Sequence, residues 1–110
     1  MVINKGYMSG SSSLLVLHLL KEKSFYGYEL IKTLKTRSNA VFDMKEGTLY
    51  PILHKLENEE LITSSNQEVS GRVRKVYSIT SKGIKALDAE REEWKAFSLA
   101  VNHVLALGGN

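Results

Sequence analysis

Glu46-Gly-Thr-Leu-Tyr-Pro-Ile-Leu-His-Lys-Leu-Glu-Asn-Glu-Glu-Leu-Ile62 is the stretch around which the rest of the chain is organised. Leu49, Ile52, Leu53 and Leu56 fall at i, i+3, i+4 and i+7, so an α-helix places them in one apolar stripe. The opposite side carries Gly47, Tyr50, Pro51, His54 and Asn58, with Lys55 at its margin. A helix held to a core by aliphatic residues, with a ring and hydrogen-bonding groups on its far side, can enter a DNA major groove. Pro51 constrains where the helix begins. In mid-helix it removes a backbone bond and clashes with the preceding turn. With Thr48 as N-cap, Pro51 falls among the first N–H groups, which lack intrahelical partners in any case. The helix is therefore expected to start at Gly47 or Thr48. The bland alternative is an amphipathic core helix with a solvated outer face, and only the rest of the chain separates the two.

Downstream, Leu61 to Ile79 is rich in β-formers at both ends and holds Asn66, Ser70 and Gly71 in its middle. This predicts two antiparallel strands with a polar tip. In the second strand Val73, Lys75, Tyr77 and Ile79 share one face, and Arg72, Arg74, Val76 and Ser78 the other. Thr80 or Ser81 then caps a last helix running from about Lys82 to Leu107 and stopping at Gly108-Gly109. Such a helix is too long to pack entirely on a small domain. Ile84 and Leu87 lead its apolar positions, followed by Trp94, Phe97, Val101 and Val104, with Leu105 beside them, at coiled-coil spacing.

Upstream, residues 1–8 carry no strong pattern and read as a partly loose terminus. Ser9-Gly-Ser-Ser-Ser13 offers N-caps for a first helix through the apolar run Leu14–Leu20, which ends at a polar break, Lys21 to Ser24. Ser24 is then expected to cap a second helix, Tyr26 to Lys35. Its inner stripe is Gly27, Leu30, Ile31 and Leu34, with Lys32 and Lys35 outward. Gly27 on the packing side suggests close approach by another helix. A connector follows, pinned by Val41, Phe42 and Met44. The order helix, helix, helix, hairpin, long helix gives a mainly α chain with a β-hairpin wing (α+β), a winged helix-turn-helix. Residues 9–80 are expected to form a DNA-binding domain and residues 81–107 a C-terminal dimerisation helix.

Composition bounds this reading without deciding it. The chain has 110 residues, enough for one core, and 43% hydrophobic with 25% charged content is ordinary for a globular protein. A net charge of +3 suits a nucleic-acid partner without requiring one. The sequence contains no cysteine, which excludes a disulfide framework and thiol catalysis and suits a reducing cytoplasm. The apolar run Leu14–Leu20 is too short to span a bilayer, and no secretion signal is recognisable. His18, His54 and His103 form no ligand-spaced pair, so no metal is expected. The serines lack a G-x-S-x-G setting, and no phosphate-cradling glycine loop is present. Neither an enzyme nor a cofactor is expected.

Tyr26-Gly-Tyr-Glu-Leu, Gly47-Thr-Leu-Tyr-Pro-x-Leu-x-Lys-Leu-Glu57 and Gly71-Arg-x-Arg-Lys-x-Tyr-x-Ile-Thr80-x-x-Gly83 stand in that order. Together they resemble the PadR family of bacterial transcription regulators, over roughly Ser13 to Leu105. The single long C-terminal helix looks like the short class of that family. Val76 stands where the family often has a second tyrosine, and Arg-Val-Arg replaces a more continuous basic run. The resemblance implies a homodimeric repressor on a palindromic operator, often controlling its own gene and a neighbouring transporter or detoxifying enzyme. It also implies that some relatives release DNA on binding a phenolic acid or a flat aromatic drug.

The residues then take these expected roles. Thr48, Tyr50, His54 and Lys55 are the groove candidates, near a helix N-terminus suited to phosphate. Tyr50 has a second reading, packing under the wing, and His54 a second reading as an exposed polar residue. Arg72, Arg74 and Lys75 at the wing tip reach phosphates or a minor groove. The competing role for that cluster is to keep an edge strand from aggregating. Tyr28 and Lys32 are further phosphate candidates. Trp94, Phe97, Val101, Val104 and Leu105 form the dimer seam. Trp94 anchors an interface or, with Phe97, Leu14 and His18, walls a slot for a small aromatic effector. The rival reading of the whole is a winged-helix protein-interaction or ligand-binding module without sequence-specific DNA binding.

Overall fold

The computed structural model describes residues 5–108, with side chains over 10–106. The elements in chain order are α1 (Lys5–Glu22), β1 (Phe25–Tyr26), α2 (Gly27–Arg37), α3 (Glu46–Asn58), β2 (Ile62–Val69), β3 (Arg72–Ile79) and α4 (Ser81–Gly108). The expected α+β architecture is present: helices packed on one side of an antiparallel hairpin, followed by a long terminal helix. Among the described residues no helix is long and apolar enough to cross a membrane.

The core collects one apolar face from each element. Leu17 of α1, Leu30 of α2, Leu49 and Leu53 of α3 and Leu87 of α4 are fully buried. Phe25, Met44, Leu56, Ile62 and Tyr77 close the cluster. Val16, Leu17, Leu19 and Leu20 are all buried, as expected of a run that is apolar nearly all round. Phe42 packs against the same core and its N–H donates to the Ser38 hydroxyl at 2.8 Å, so the connector between α2 and α3 is held in place.

The hairpin pairs Ile62 with Ile79 and Val69 with Arg72, leaving Ser70-Gly71 as a two-residue turn. Both turn residues have positive φ, 52° and 77°. That is the mirror-image turn whose twist matches a right-handed hairpin, and glycine adopts it freely. Below the hairpin, Glu60 takes a left-handed φ of 63° just past α3. The Leu61 N–H then reaches the Leu56 carbonyl and the Glu60 N–H reaches Glu57, closing the helix end with a Schellman pattern. The Thr80 hydroxyl donates to the Glu60 carbonyl at 2.7 Å and accepts from the Gly83 N–H at 3.0 Å. One threonine thus caps α4 and ties its start to the end of α3.

Three expectations about helix starts are corrected. α1 begins at Lys5, so Ser9 to Ser13 lies inside a helix and not at its cap, and the reading of residues 1–8 as loose fails for 5–8; residues 1–4 lie outside those described. Ser12 is buried in the packed face of α1. Burial against the rest of the fold outweighs serine's modest helix propensity. Ser24 does not cap α2. Phe25 and Tyr26 instead form a third strand on β3, in the order β1-β3-β2, and the Ser24 and Ser78 hydroxyls hydrogen-bond at 2.6 Å. Burying Phe25 and pairing the edge of β3 fix this turn, and Glu29 accepts the Tyr26 N–H at 3.2 Å as α2 starts. Finally, Thr48 is not the cap of α3. The helix opens at Glu46 with Lys45 as N-cap, so Pro51 lies inside it. A proline there costs up to about 3 kcal/mol of helix stability.

α4 departs from the globule. Its 28 residues span about 42 Å at 1.5 Å per residue. Its first turns pack on α1 and the core through Leu87. From Arg91 to Ala106 every side chain except that of Ser98 is exposed.

Candidate nucleic-acid interface

α3 divides its residues as its periodicity requires. Leu49, Leu53 and Leu56 are buried, whereas Gly47, Tyr50, Pro51, His54, Lys55 and Asn58 are exposed. Gly47, Pro51, His54 and Asn58 recur at i, i+4, i+7 and i+11, a single stripe down the middle of the exposed face. The flanks of that stripe look in different directions. On one side, Glu57 accepts a 2.6 Å hydrogen bond from the Ser64 hydroxyl of β2. The Tyr77 hydroxyl is held above the ordinary tyrosine range, chiefly by burial and then by Tyr50 and Glu57. That flank therefore faces the hairpin. On the other side, Glu90 of α4 is raised by burial and by Glu93, and lowered by Lys55. Lys55 thus lies within electrostatic reach of α4, on the flank away from the wing.

Tyr50 leans across to α2. A methyl group built on Gly27 would lie 2.5 Å from the Tyr50 hydroxyl oxygen and 2.9 Å from its ring. Only glycine lets the ring lie this close. The expected close approach at Gly27 is made by this tyrosine.

Beside Tyr50 an open hollow of about 420 Å³ is lined by Tyr26, Gly27, Tyr28, Glu46, Tyr50, Arg72, Arg74 and Lys75. It brings together candidates from three elements: Tyr28 of α2, Tyr50 of α3, and Arg72, Arg74 and Lys75 of the wing. The start of α2, at Gly27 and Tyr28, forms part of its wall, and helix N-termini favour anions. Three cations face one carboxylate, Glu46, so the hollow is net positive.

Arg74 is the best held of these cations. Tyr26 pairs with Val76 across β1 and β3, which puts Arg74 two residues along the same face of the sheet. Its guanidinium carbon sits 4.4 Å from the centroid of the Tyr26 ring, a cation–π contact. Its Nε is shielded from solvent and has no hydrogen-bond partner. Val76, where the sequence departs from the usual tyrosine, is buried and pairs with Tyr26. The role of Tyr26 as a platform is not among the sequence expectations; the motif Tyr26-Gly-Tyr-Glu-Leu marks the residue but not its use.

The remaining candidates lie apart. Lys32 lines a second, slightly smaller hollow with Lys23, Glu29 and Arg37, and Tyr28 borders both. Thr48 is half-buried in the first turn of α3. Trp94 and Phe97 are 50% and 62% exposed, with ring centroids 6.1 Å apart. Val101, Val104 and Leu105 continue that exposed seam, and Leu99 is exposed off it. Leu14 packs on the core from α1. His18 Nε2 stands 3.2 Å from a Glu22 oxygen, and Arg37 grips the same carboxylate at 2.6 and 2.8 Å.

Residues 16–89 match the model of the transcriptional regulator PadR-like family. A transcriptional regulator of Mycobacterium tuberculosis, Rv3488, is 36% identical over 69% of this chain and 68% of its own. Among solved structures, a transcriptional regulator from Clostridium thermocellum superposes with a TM-score of 0.84 at 31% identity, covering 90% of this chain and 97% of its own. A PadR family transcription regulator from Clostridium difficile superposes with a TM-score of 0.75 at 33% identity, covering 86% and 98%. With the family model covering well over half of its length, and with a winged helix whose wing and third helix share one basic hollow, this chain belongs to the PadR-like family of transcriptional regulators.

Proposed function

We propose that the protein is a repressor that binds a palindromic operator as a homodimer. α3 enters the major groove by its exposed face, with Thr48, Tyr50, His54 and Lys55 toward bases or flanking phosphates. Arg72, Arg74 and Lys75 of the wing hold the sugar–phosphate backbone beside it, with Tyr28 and Lys32 of α2 further along. The observation that carries this reading is the shared hollow: Tyr50 of α3 and three wing cations line one concave, net-positive surface. Residues 9–80 act as the reading head and residues 81–107 as the pairing element. Two α4 seams, Trp94, Phe97, Val101, Val104 and Leu105, cover each other and hold the heads about one DNA turn apart, roughly 34–36 Å. Bound at a promoter, such a dimer excludes polymerase. A flat aromatic effector between the paired helices, against Trp94 and Phe97 with Leu14 and His18 near, would release DNA by favouring a different head spacing.

The test is a mobility-shift titration with the DNA upstream of the protein's own gene, repeated across salt concentrations. A specific complex is expected whose affinity falls steeply with salt. Arg74→Ala should weaken binding to every duplex and lower the slope by about one charge. An unchanged slope removes Arg74 from the phosphate contacts, and a salt-independent affinity for random duplex overturns the DNA reading.

A further inference from the structure

The exposed face of α3 contains two residues that the fold does not require. Pro51 lies inside the helix, not at its first position. The Leu49 N–H takes the Lys45 carbonyl at 2.9 Å, so the backbone ladder is already in its i to i−4 register. In that register the Gly47 carbonyl faces residue 51, and proline has no N–H to give it. Gly47 is itself unexplained by structure. Its φ is not among the positive ones, and a methyl group built on it meets nothing within 4 Å. Proline is the least favourable residue in a helix interior, and glycine, here in the first turn, is the next poorest helix former. Here they stand four apart, both exposed, on the stripe that also carries His54 and Asn58. Where a chain breaks a local rule with no structural gain, function is the expected cause.

We infer that Gly47 and Pro51 together present a main-chain acceptor to the DNA: the Gly47 carbonyl, left without its i+4 donor by Pro51, reads an exocyclic amino group in the major groove, which the bare Gly47 allows to approach. An acceptor repels phosphate, so its partner is a donor. The groove offers two donors of this kind, the N4 amino group of cytosine and the N6 amino group of adenine. The inference rests on α3 being the groove-entering helix. It adds a specificity contact made by backbone, which no side-chain inventory contains.

The experiment uses the full chain and the duplex it enriches from a random pool. Pro51→Ala restores the N–H that satisfies the Gly47 carbonyl, and Gly47→Ala keeps the acceptor but adds a methyl group to the open surface beside it, which holds the base edge away. Both variants should melt at higher temperature than wild type. Both should bind the enriched duplex about five- to tenfold more weakly, the worth of one hydrogen bond. Their affinity for random duplex and its salt slope should not change. Operators in which single cytosines are replaced by pyrimidin-2-one, or single adenines by purine, lack the amino group and identify the base. One such replacement should weaken the wild type and leave Pro51→Ala indifferent. Equal operator affinity in the wild type and both variants overturns the inference, as does a lower melting temperature for Pro51→Ala, which would make the proline structural. A wild-type chain that enriches no duplex sinks the groove-helix reading itself, a different and separable failure.

Discussion

α3 and the outer half of α4 follow the same rule in sequence and meet opposite fates in space. Each places large apolar residues on one side of a helix. In α3 that side is sealed: Leu49 and Leu53 are 0% exposed. In α4 the matching side is open, with Val104 at 70% and Leu105 at 64%. Periodicity tells which face of a helix is apolar but not what covers it. α3 lies between α2 and the hairpin, so its own chain supplies the cover. α4 outruns the globule, and its seam is left uncovered by the described residues. Contiguous exposed apolar residues mark binding surfaces, and the proposed function assigns this stripe to a second copy of the chain. α3 is therefore a unit of folding and, under the proposed function, α4 a unit of assembly, so substitutions in the two should be distinguishable by their dependence on protein concentration.

The largest effect is expected in α3. Leu53→Ala removes a fully buried side chain from the centre of the core and should cost about 2–5 kcal/mol. For a domain of this size that is a large part of the total stability. Denaturant titrations at low and high protein concentration should show the same loss relative to wild type. A loss under about 1 kcal/mol would mean that α3 is not a core helix, and the contrast with α4 would vanish.

In α4 the expected effect is of another kind. Trp94→Glu puts a carboxylate into the proposed seam and should raise the dimer dissociation constant by about thirty- to a thousandfold, the loss of an interface anchor worth roughly 2–4 kcal/mol. Sedimentation should show single chains. The circular dichroism of the globule should persist, since Leu87 and the core residues of α1 to α3 do not depend on the seam. Wild type should melt at a temperature that rises with concentration, and the variant should not. A variant that sediments as wild type would move the seam elsewhere on the helix.

The same contrast explains what can be read from residues alone. The stripes of α3 and α4, the hairpin and its Ser70-Gly71 tip follow from short-range rules of period and turn chemistry, and the chain states them directly. β1 has two residues and therefore no period; it exists because β3 offers an edge and the core takes Phe25. The serine run reads as a cap because serine prefers caps, yet Ser12 is inside because a surface supplied by distant residues covers it. The start of α3 is misread for a physical reason: Pro51 argues for a late start on propensity, and the helix accepts the lost bond. The site divides similarly. Its residue types are legible, since cations beside a glycine turn and tyrosines on helix faces are local features. Its assembly is not, because Arg74 meets Tyr26 through strand register and Tyr50 meets Gly27 through helix packing.

The smallest expected effect concerns a contact between helices made of charge. Glu22 at the end of α1 accepts two hydrogen bonds from Arg37 at the end of α2, with His18 beside it. Its carboxyl is held below the usual glutamate range, first by the hydrogen bond from Arg37. A carboxylate whose folded pKa is depressed stabilises the fold above its unfolded pKa, and that contribution is lost as the pH falls through the folded value. Glu22→Gln should therefore lower the melting temperature slightly at neutral pH. The gap should narrow as the pH drops below the ordinary glutamate range and close once wild-type Glu22 is itself protonated. Salt should shrink it too, because the groups are exposed and screened. A gap as wide as that of Leu53→Ala, or one that persists at low pH, would show that α1 and α2 depend on this ion pair for their packing. A small, pH-limited gap would leave apolar burial as the dominant support of the helical globule, and would leave its charge free for the proposed contact with DNA.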